Sequence, residues 1–137
     1  MQLNSLQEMI KDYEKRTGEI VDLSKFKWVD NDLQSDENVH FKFFPRIGFL
    51  FWGIDEIDGV RYFLILQTYG NFKAMCDYMR EVMNLNGLTQ IMTFTTRNPR
   101  VHQRRWGCKW LKDKDYVFEG KNYHVMVSDI THLDKGD

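Results

Sequence analysis

The chain has 137 residues, of which 42% are hydrophobic and 15% aromatic, and its formal net charge is −1. This length indicates a single domain over residues 1–137 with enough apolar side chains to fill one core. The near-neutral charge excludes a globally basic nucleic-acid binder, and no apolar run reaches the roughly 18 residues that a membrane span needs.

The cysteine content and the first residues point to a cytoplasmic location. The two cysteines, Cys76 and Cys108, form no Cys-x-x-Cys pair and no disulfide framework, which favours a reducing compartment. Residues 1–10 are polar and helical in pattern, unlike a signal peptide. The four histidines show no metal-binding spacing. We therefore expect a cytoplasmic protein with neither a metal nor a membrane partner.

The first 38 residues are predicted to form a helix and a loop. Ser5 with Glu8 has the pattern of a capping box in front of the helix, and Gly18 is a suitable stop after it. Residues 19–38 are weakly patterned and read as a loop. The helix itself is indicated by four apolar residues at the i, i+3, i+4 and i+7 spacing of one face: Leu6, Met9, Ile10 and Tyr13.

Residues 39–129 are predicted to form the core, which begins with three strands around residues 40–44, 47–57 and 60–66. Asp58-Gly59 separates the last two and is a strong hairpin signal, because a type I′ turn needs positive φ at both central residues. The third strand is almost continuously apolar, which is typical of a strand buried on both faces.

A helix over residues 72–86 is predicted next, with Asn71 as its N-cap, followed by a strand over residues 88–96. One stripe of this helix is apolar: Phe72, Met75, Met79, Val82 and Leu85. The strand–helix–strand unit implies a parallel pair of strands with a right-handed crossover.

The last elements are a short helix and two strands. Asn98-Pro99 starts the helix, because Asn is a good cap and Pro is tolerated at the first helical position, and Gly107 ends it. The closing strands are predicted around residues 116–118 and 123–127, with a turn over 119–122, and residues 130–137 read as a frayed tail. The fold class is therefore α/β (α+β), with a mixed sheet of about six strands and three helices.

This order of elements resembles the GNAT N-acetyltransferase superfamily over residues 39–127, and the small phage-encoded members look similar in length. The resemblance implies an acetyl-CoA-dependent N-acyltransferase whose acceptor is an amine of a small molecule or a protein. It depends on three segments. Residues 62–66 with Gly70-Asn71 look like the family's fourth strand and the helix after it, and residues 94–98 look like its fifth strand with the following Asn. Trp106-Gly107-Cys108 lies where the family often has a Gly-Phe pair.

Two departures from the family pattern favour an alternative. The family's Arg/Gln-x-x-Gly-x-Gly/Ala loop is reduced here to residues 67–71 with the single Gly70, and Gln103 replaces a Tyr that precedes the short helix's final Gly. The alternative is a catalytically degenerate GNAT-like phage protein, either in the host cytoplasm for host takeover or in the virion.

The candidate cofactor site is at the start of the second helix, where unpaired N–H groups and the macrodipole favour anions. We expect the two parallel strands to splay apart here, so that a pantetheine arm pairs with the strand backbone. Gly70 would let a phosphate approach, although Gly70-Asn71 also fits a plain turn and cap, and Asn98 also fits an N-cap. The predicted cofactor-binding residues are Leu66, Thr68, Tyr69, Gly70, Asn71, Phe72, Lys73 and Asn98.

Acyl transfer to an amine needs a base, a donor to the carbonyl oxygen and an acid for the leaving thiolate. His102 and Tyr69 are the candidates for proton transfer, although a lone His is also typical of an ordinary surface. Asp55 and Glu56, beside the predicted hairpin turn, are expected to be solvated. Cys108 is expected to be buried and not a nucleophile, because nothing nearby marks a lowered pKa.

Residues 97–114 carry seven Lys or Arg and one Asp, with Trp106 and Trp110 among them. This pattern also fits a nucleic-acid-binding module, because cations contact phosphates and aromatic rings stack on bases. A solvated helix face and binding of the CoA phosphates are the other readings, so a nucleic-acid partner is an alternative that we do not favour.

Overall fold

The computed structural model describes residues 2–24, 26–29, 32–35 and 39–131. The helices are α1 (Gln2–Thr17), α2 (Phe72–Leu85) and α3 (Pro99–Trp106), with a short 3₁₀ helix at Lys112–Lys114. The strands are β1 (Phe26–Val29), β2 (Asp32–Ser35), β3 (His40–Phe44), β4 (Gly48–Ile57), β5 (Val60–Gly70), β6 (Gln90–Thr95), β7 (Lys109–Trp110), β8 (Tyr116–Phe118) and β9 (Lys121–Asp129). None of these helices is long and apolar enough to cross a membrane.

The strands form a mixed sheet in the order β1-β2-β3-β4-β5-β6-β9-β7, and β8 pairs with β9. Strands β5 and β6 run parallel and are joined by α2, whereas the other pairings in the described strands are antiparallel. The predicted α+β class, the three helices and the parallel central pair are confirmed.

Two apolar clusters lie on opposite faces of the sheet, because successive strand residues point to opposite sides. Phe49 and Phe51 of β4 pack in the first cluster with Tyr13 of α1. Leu50 and Trp52, the alternate residues of β4, pack in the second. The buried residues of α2 in that cluster are Met75, Cys76, Met79 and Met83. Met75 and Met79 of the predicted stripe are confirmed, whereas Leu85 is 79% exposed and Met83 takes its place in the core. The sheet is therefore covered by α1 on one face and α2 on the other.

Local turn and cap signals are confirmed where short-range chemistry decides them. Asp58 and Gly59 have φ values of 54° and 81°, as a type I′ hairpin requires. The Asn71 side chain accepts a hydrogen bond from the Ala74 N–H at 3.2 Å and caps α2. Gly107 ends α3 with a φ of 67°.

The N-terminal region differs from the prediction in two respects. Helix α1 begins at Gln2, so Ser5 lies inside the helix and is not its cap. The segment predicted as a loop contains the hairpin β1–β2, and β2 pairs with β3. These strands extend one edge of the sheet, and edge strands lack the apolar alternation of buried strands. The weak pattern of the segment therefore did not indicate them. With this hairpin and the two-residue β7, the described sheet has nine strands instead of about six.

The end of the chain also differs from the prediction. Ile130 was predicted to belong to a frayed tail, but its N–H donates to the Thr89 carbonyl at 2.8 Å and its side chain packs on the α2 cluster. Residues 132–137 lie outside the described residues. The core therefore extends at least to Ile130, because a backbone bond and apolar contact hold that residue to the sheet.

Candidate functional site

The parallel pair β5–β6 opens in the middle of the sheet. The two strands pair from Tyr62↔Gln90 to Ile65↔Thr93. Beyond that point β5 continues to Gly70 and pairs only with β4, while β6 continues to Thr95 and pairs only with β9. The predicted splay is confirmed, and over residues 66–70 it leaves one side of the β5 backbone without a partner among the described strands.

A β-bulge at Leu66 lies where the two strands separate. Ile65 is opposite Trp52 and Gln67 is opposite Phe51, so Leu66 has no opposite residue in β4. An extra residue reverses which face the following side chains reach. Ile65 packs in the α2 cluster, and without the bulge Gln67 would face the same way. Instead the Gln67 amide reaches Glu19 beyond α1.

A cleft of about 220 Å³, here called the inner cleft, occupies the opening between β5 and β6. Many of its lining side chains are threonines, and the Oγ1 atom of Thr68 is buried without a hydrogen-bond partner among the described residues. A buried hydroxyl of this kind calls for a partner that the chain does not supply. The lining residues are Tyr13, Thr17, Glu19, Ile65, Leu66, Gln67, Thr68, Thr93, Phe94, Thr95, Thr96, Arg97 and His102.

Glu19 is the anionic group of the inner cleft, and three side chains fix its position. Its Oε1 accepts hydrogen bonds from the Tyr13 hydroxyl and from Gln67 Nε2, the latter at 3.1 Å. Its Oε2 accepts one from the Tyr123 hydroxyl at 2.7 Å. A carboxylate offers about four acceptor positions, so about one is left for a ligand.

In the Glu19 cluster the carboxyl group is ionised and the two tyrosine hydroxyls stay neutral. Burial acts to raise the pKa of Glu19, but the hydrogen bonds from Tyr13, Tyr123 and Gln67 outweigh it and hold that pKa below its ordinary value. Burial, and then the hydrogen bond to Glu19, raise the pKa of Tyr13 and of Tyr123. The cluster therefore presents one negative charge to the cleft at neutral pH.

A second cavity, of about 530 Å³ and here called the outer cavity, adjoins the inner cleft. The two share Tyr13, Thr17, Thr68 and Arg97 as lining residues. Among the described residues that line the outer cavity there is no acid, and three are arginines: Arg16, Arg46 and Arg97. The combined opening therefore has a cationic outer end and an anionic inner end.

The start of α2 is organised by hydrogen bonds within the chain. The Asn71 N–H donates to the Ile47 carbonyl at 3.3 Å, and the Ala74 N–H donates to the Asn71 side chain. Gly70 has a φ of 100°, and a Cβ there would lie 1.9 Å from the Ile47 carbonyl oxygen. The approach of residues 47–48 therefore explains this glycine, which the sequence had associated with a phosphate.

Phe72 and Lys73, two other predicted cofactor-binding residues at the start of α2, lie in different surroundings from each other. Phe72 packs against the α2 cluster, so its side chain belongs to the core. Lys73 is exposed in the first turn of α2, and it lines neither cavity.

Four other predicted site residues line the cavities, and Thr68 lines both of them. Leu66, Thr68 and His102 line the inner cleft, and His102 reaches it from α3 half-buried. Tyr69 lines the outer cavity, and its hydroxyl donates to Asp12 of α1. That hydrogen bond, followed by burial, raises the pKa of Tyr69. The structure thus brings Leu66, Thr68 and His102 together and sets the Tyr69 hydroxyl against α1.

Three further predicted residues lie outside both cavities. The exposed Asn98 accepts a hydrogen bond from the Arg100 N–H at 3.0 Å and so caps α3, the alternative role that the sequence suggested for it. Asp55 and Glu56 are exposed beside the Asp58-Gly59 turn, at the opposite end of β4 from Gly48. They are solvated as expected.

Part of the basic segment 97–114 is engaged in contacts within the chain. The indole N–H of Trp110 donates to Asp115 at 3.0 Å, and the Lys112 ammonium lies 4.7 Å from the Trp110 ring centroid. Lys114 pairs with Asp58 at 2.7 Å. These contacts stabilise the C-terminal strands and cover the Trp110 ring that base stacking would use.

Cys108 is half-buried, and burial raises the pKa of its thiol to about 11. At pH 8 only about one molecule in a thousand carries the thiolate, which is the reactive form. We expect the folded protein to react slowly with Ellman's reagent, and the unfolded protein to release two thiol equivalents, one each from Cys76 and Cys108. Fast reaction of one equivalent in the folded protein would contradict this prediction.

Sequence reasoning missed the Glu19 cluster. Tyr13 was recognised only as part of an apolar helix face, and Glu19 lies in the segment predicted as a loop. Tyr123 is 104 residues away from Glu19. No local spacing links such residues, and the only available signal was a carboxylate immediately after the Gly18 stop of a helix.

Comparisons with known proteins give a likeness in fold. The sequence matches no protein-family model and no curated protein. The N-acyl amino acid synthase FeeM from uncultured soil microbes is similar in structure, with a TM-score of 0.61, 7% identity and coverage of 96% of this chain and 92% of that one.

Two further structures match at lower scores. The NatC complex bound to Gag peptide and CoA gives a TM-score of 0.48, with 12% identity and coverage of 93% of this chain and 90% of that one. The AtaT–AtaR complex bound to DNA gives a TM-score of 0.43, with 8% identity and coverage of 71% of each chain. At these identities the likeness concerns the fold alone.

Proposed function

The protein has a GNAT-like fold, and on that premise we propose that it is an N-acyltransferase that moves an acyl group from a CoA-type thioester to an amine. The observation that carries the proposal is the opening between β5 and β6, with the Leu66 bulge at its inner end. In open α/β sheets, ligands favour the carboxyl ends of strands at such a separation.

The acyl donor would enter the opening as an additional partner of β5. On this side, no strand that the structure describes pairs with the backbone of residues 66–70, and the amides of a pantetheine arm can hydrogen-bond to it as a strand would. The Leu66 N–H, at the bulge, is our candidate donor to the thioester carbonyl oxygen as negative charge develops there.

The acceptor amine would approach from the Glu19 side. The Glu19 carboxylate attracts an ammonium group, and three hydrogen bonds hold it in one position. The bound ammonium first loses one proton to solvent and becomes the nucleophilic amine. Its nitrogen then forms the new bond to the acyl carbon and loses a second proton, the carbon–sulfur bond breaks, and the leaving thiolate takes up one proton. We assign proton transfer to His102, because it lines the inner cleft, whereas Tyr69 is bonded to Asp12.

Matched substitutions at the two ends of β6 test this function. Thr96 is exposed and lines the inner cleft, whereas Thr89 is exposed at the opposite end of the strand. Acetyl-CoA at 100 times its dissociation constant should stabilise the wild type by about 2.7 kcal/mol. We expect Thr96→Trp to lose this stabilisation because the ring fills the cleft, and Thr89→Trp to keep it, as measured by thermal unfolding.

The chemistry is tested by the release of free CoA thiol with a panel of primary amines. No stabilisation at millimolar acetyl-CoA, together with no thiol release, would refute the proposal and favour the catalytically degenerate alternative. Equal stabilisation of both tryptophan variants would place the ligand outside the inner cleft.

A further inference from the structure

Two of the three arginines of the outer cavity have no carboxylate partner within the described part of the chain. Arg16 pairs with Asp12 at 3.2 Å. For Arg46 and Arg97 no carboxylate partner is found among the side chains that the structure describes. Guanidinium groups gathered at a cavity without an acid are suited to a phosphate, whose oxygens they can bind in pairs.

The backbone at Arg46 gives a second, independent observation. Residues 44–47 form a turn closed by the Ile47 N–H and the Phe44 carbonyl at 2.9 Å, with Pro45 at the second position and Arg46 at the third. Arg46 has a φ of 66°, and the third position of a turn with positive φ favours glycine. An arginine held in a strained conformation at the edge of a cavity points to a role for its side chain.

The outer cavity is also at a suitable place for the donor's phosphate. It continues from the inner cleft through Thr68, whose buried hydroxyl lacks a partner among the described residues. From Leu66 to Gly70 the strand advances about 13 Å, at about 3.3 Å per residue. A phosphopantetheine arm carries its thiol and its phosphate at opposite ends, with two amides between them, and can bridge such a span.

We propose that Arg46 and Arg97, with Arg16 beside them, bind the phosphate of a phosphopantetheine arm in the outer cavity, in place of the start of α2. The inference rests on the proposed function and names the donor-binding site within it. At α2 the Asn71 and Ala74 N–H groups already donate within the chain, whereas the outer cavity offers the guanidinium groups of Arg46 and Arg97, which no described carboxylate pairs with. CoA and a carrier protein bearing phosphopantetheine share this chemistry.

Calorimetric titration of the wild type and of the Arg46→Gly/Arg97→Gln double variant tests the site. The ligands are pantetheine, 4′-phosphopantetheine, CoA and a phosphopantetheinylated carrier protein. We expect the wild type to bind phosphopantetheine about 10- to 100-fold more tightly than pantetheine, the range of one or two charged hydrogen bonds. In the double variant the ratio of the pantetheine Kd to the phosphopantetheine Kd should fall to about 2 or less, while the affinity for pantetheine is unchanged.

The controls separate charge, backbone strain and location. Arg61→Gln removes the same charge from the far end of β5 and should leave the ratio unchanged. Glu119, like Arg46, has a positive φ, of 51°, so Glu119→Gly relieves the same kind of backbone without touching the cavity. Both glycine variants should unfold at or above the wild-type temperature, and only Arg46→Gly should weaken phosphopantetheine binding. A ratio lowered instead by Lys73→Gln would move the phosphate to α2 and overturn the inference.

The outcomes distinguish this inference from the proposed function. Equal binding of pantetheine and phosphopantetheine by the wild type, or a ratio that survives in the double variant, overturns the arginine site and leaves the acyltransferase proposal standing. No binding of any of the four ligands overturns both. Tighter binding of CoA than of the carrier assigns CoA as the donor, and the reverse assigns the carrier, each with the same arginine dependence.

Discussion

Gly70→Ala is expected to lower the free energy of unfolding by about 3 kcal/mol or more, because the new methyl group has no room. Its Cβ would lie 1.9 Å from the Ile47 carbonyl oxygen and 2.8 Å from the Gly48 Cα, both of them backbone atoms. The φ of 100° adds a second cost for a residue with a side chain. Denaturant unfolding, monitored by Trp fluorescence, measures the loss.

Gly87→Ala is the matched control, because it isolates the cost of the dihedral angle. Gly87 has a φ of 66°, and a Cβ there would meet nothing within 4 Å. We expect this variant to lose only about 1 to 2 kcal/mol. If Gly70→Ala were as stable as Gly87→Ala and lost only acetyl-CoA binding, the glycine would serve the ligand and the steric explanation would be wrong.

Glu19→Gln is expected to raise the KM for the acceptor amine about 10- to 100-fold with a smaller change in kcat, the pattern of lost ground-state binding. The substitution keeps the size of the side chain and removes the charge that attracts an ammonium. It also replaces charge-assisted hydrogen bonds from Tyr13 and Tyr123 by neutral ones, at a cost of about 1 to 2 kcal/mol because the site is half-buried. Steady-state kinetics with the best amine of the panel measure the effect.

Glu14→Gln is the control for this prediction. Glu14 belongs to the same helical region, is also half-buried and accepts the Val21 N–H at 2.9 Å, but it lines neither cavity. We expect a small stability loss and an unchanged KM. Equal KM values in wild type and Glu19→Gln would remove Glu19 from acceptor binding and leave it a purely structural role.

The same cluster gives stability a defined pH dependence. Because the pKa of Glu19 is lower in the folded protein than in the unfolded chain, its contribution is complete above about pH 5 and is lost as the pH falls below about 4. Stability of the wild type should therefore fall more steeply in this window than that of Glu19→Gln. At the alkaline end, the raised pKa values of Tyr13 and Tyr123 make stability fall as the pH rises above about 10.

The proposed donor site differs in kind from a glycine-rich loop. Such a loop binds phosphate through backbone N–H groups at a helix start, whereas here the Asn71 N–H is already bonded to Ile47. Side-chain guanidinium groups on the β3–β4 turn and after β6 would replace that function. The single glycine of residues 67–71 is then compatible with donor binding, although in the sequence it was one of the two departures that supported the degenerate alternative.

Local chemistry made much of the fold readable in advance. Asn71 capped a helix because its side chain bonds a backbone N–H three residues away, and Asp58-Gly59 turned the chain because both residues tolerate positive φ. The β1–β2 hairpin was missed because edge strands lack the apolar alternation that marks buried ones. The separation of β5 and β6 ahead of α2 was expected because ligands bind open α/β sheets at the carboxyl ends of strands, and the register of the two strands confirms it. The bulge at Leu66 was not predicted.

The sequence by itself determined the helices, most strands and the residues where turns occur, since each depends on side chains a few positions apart. Only the tertiary structure decided the site. It brought Tyr123 to Glu19 across 104 positions, turned Gln67 toward α1 through a bulge with no sequence signal, and gathered Arg16, Arg46 and Arg97 from three segments. Such contacts depend on how the sheet is assembled, and a one-dimensional pattern does not encode which distant residues it brings together.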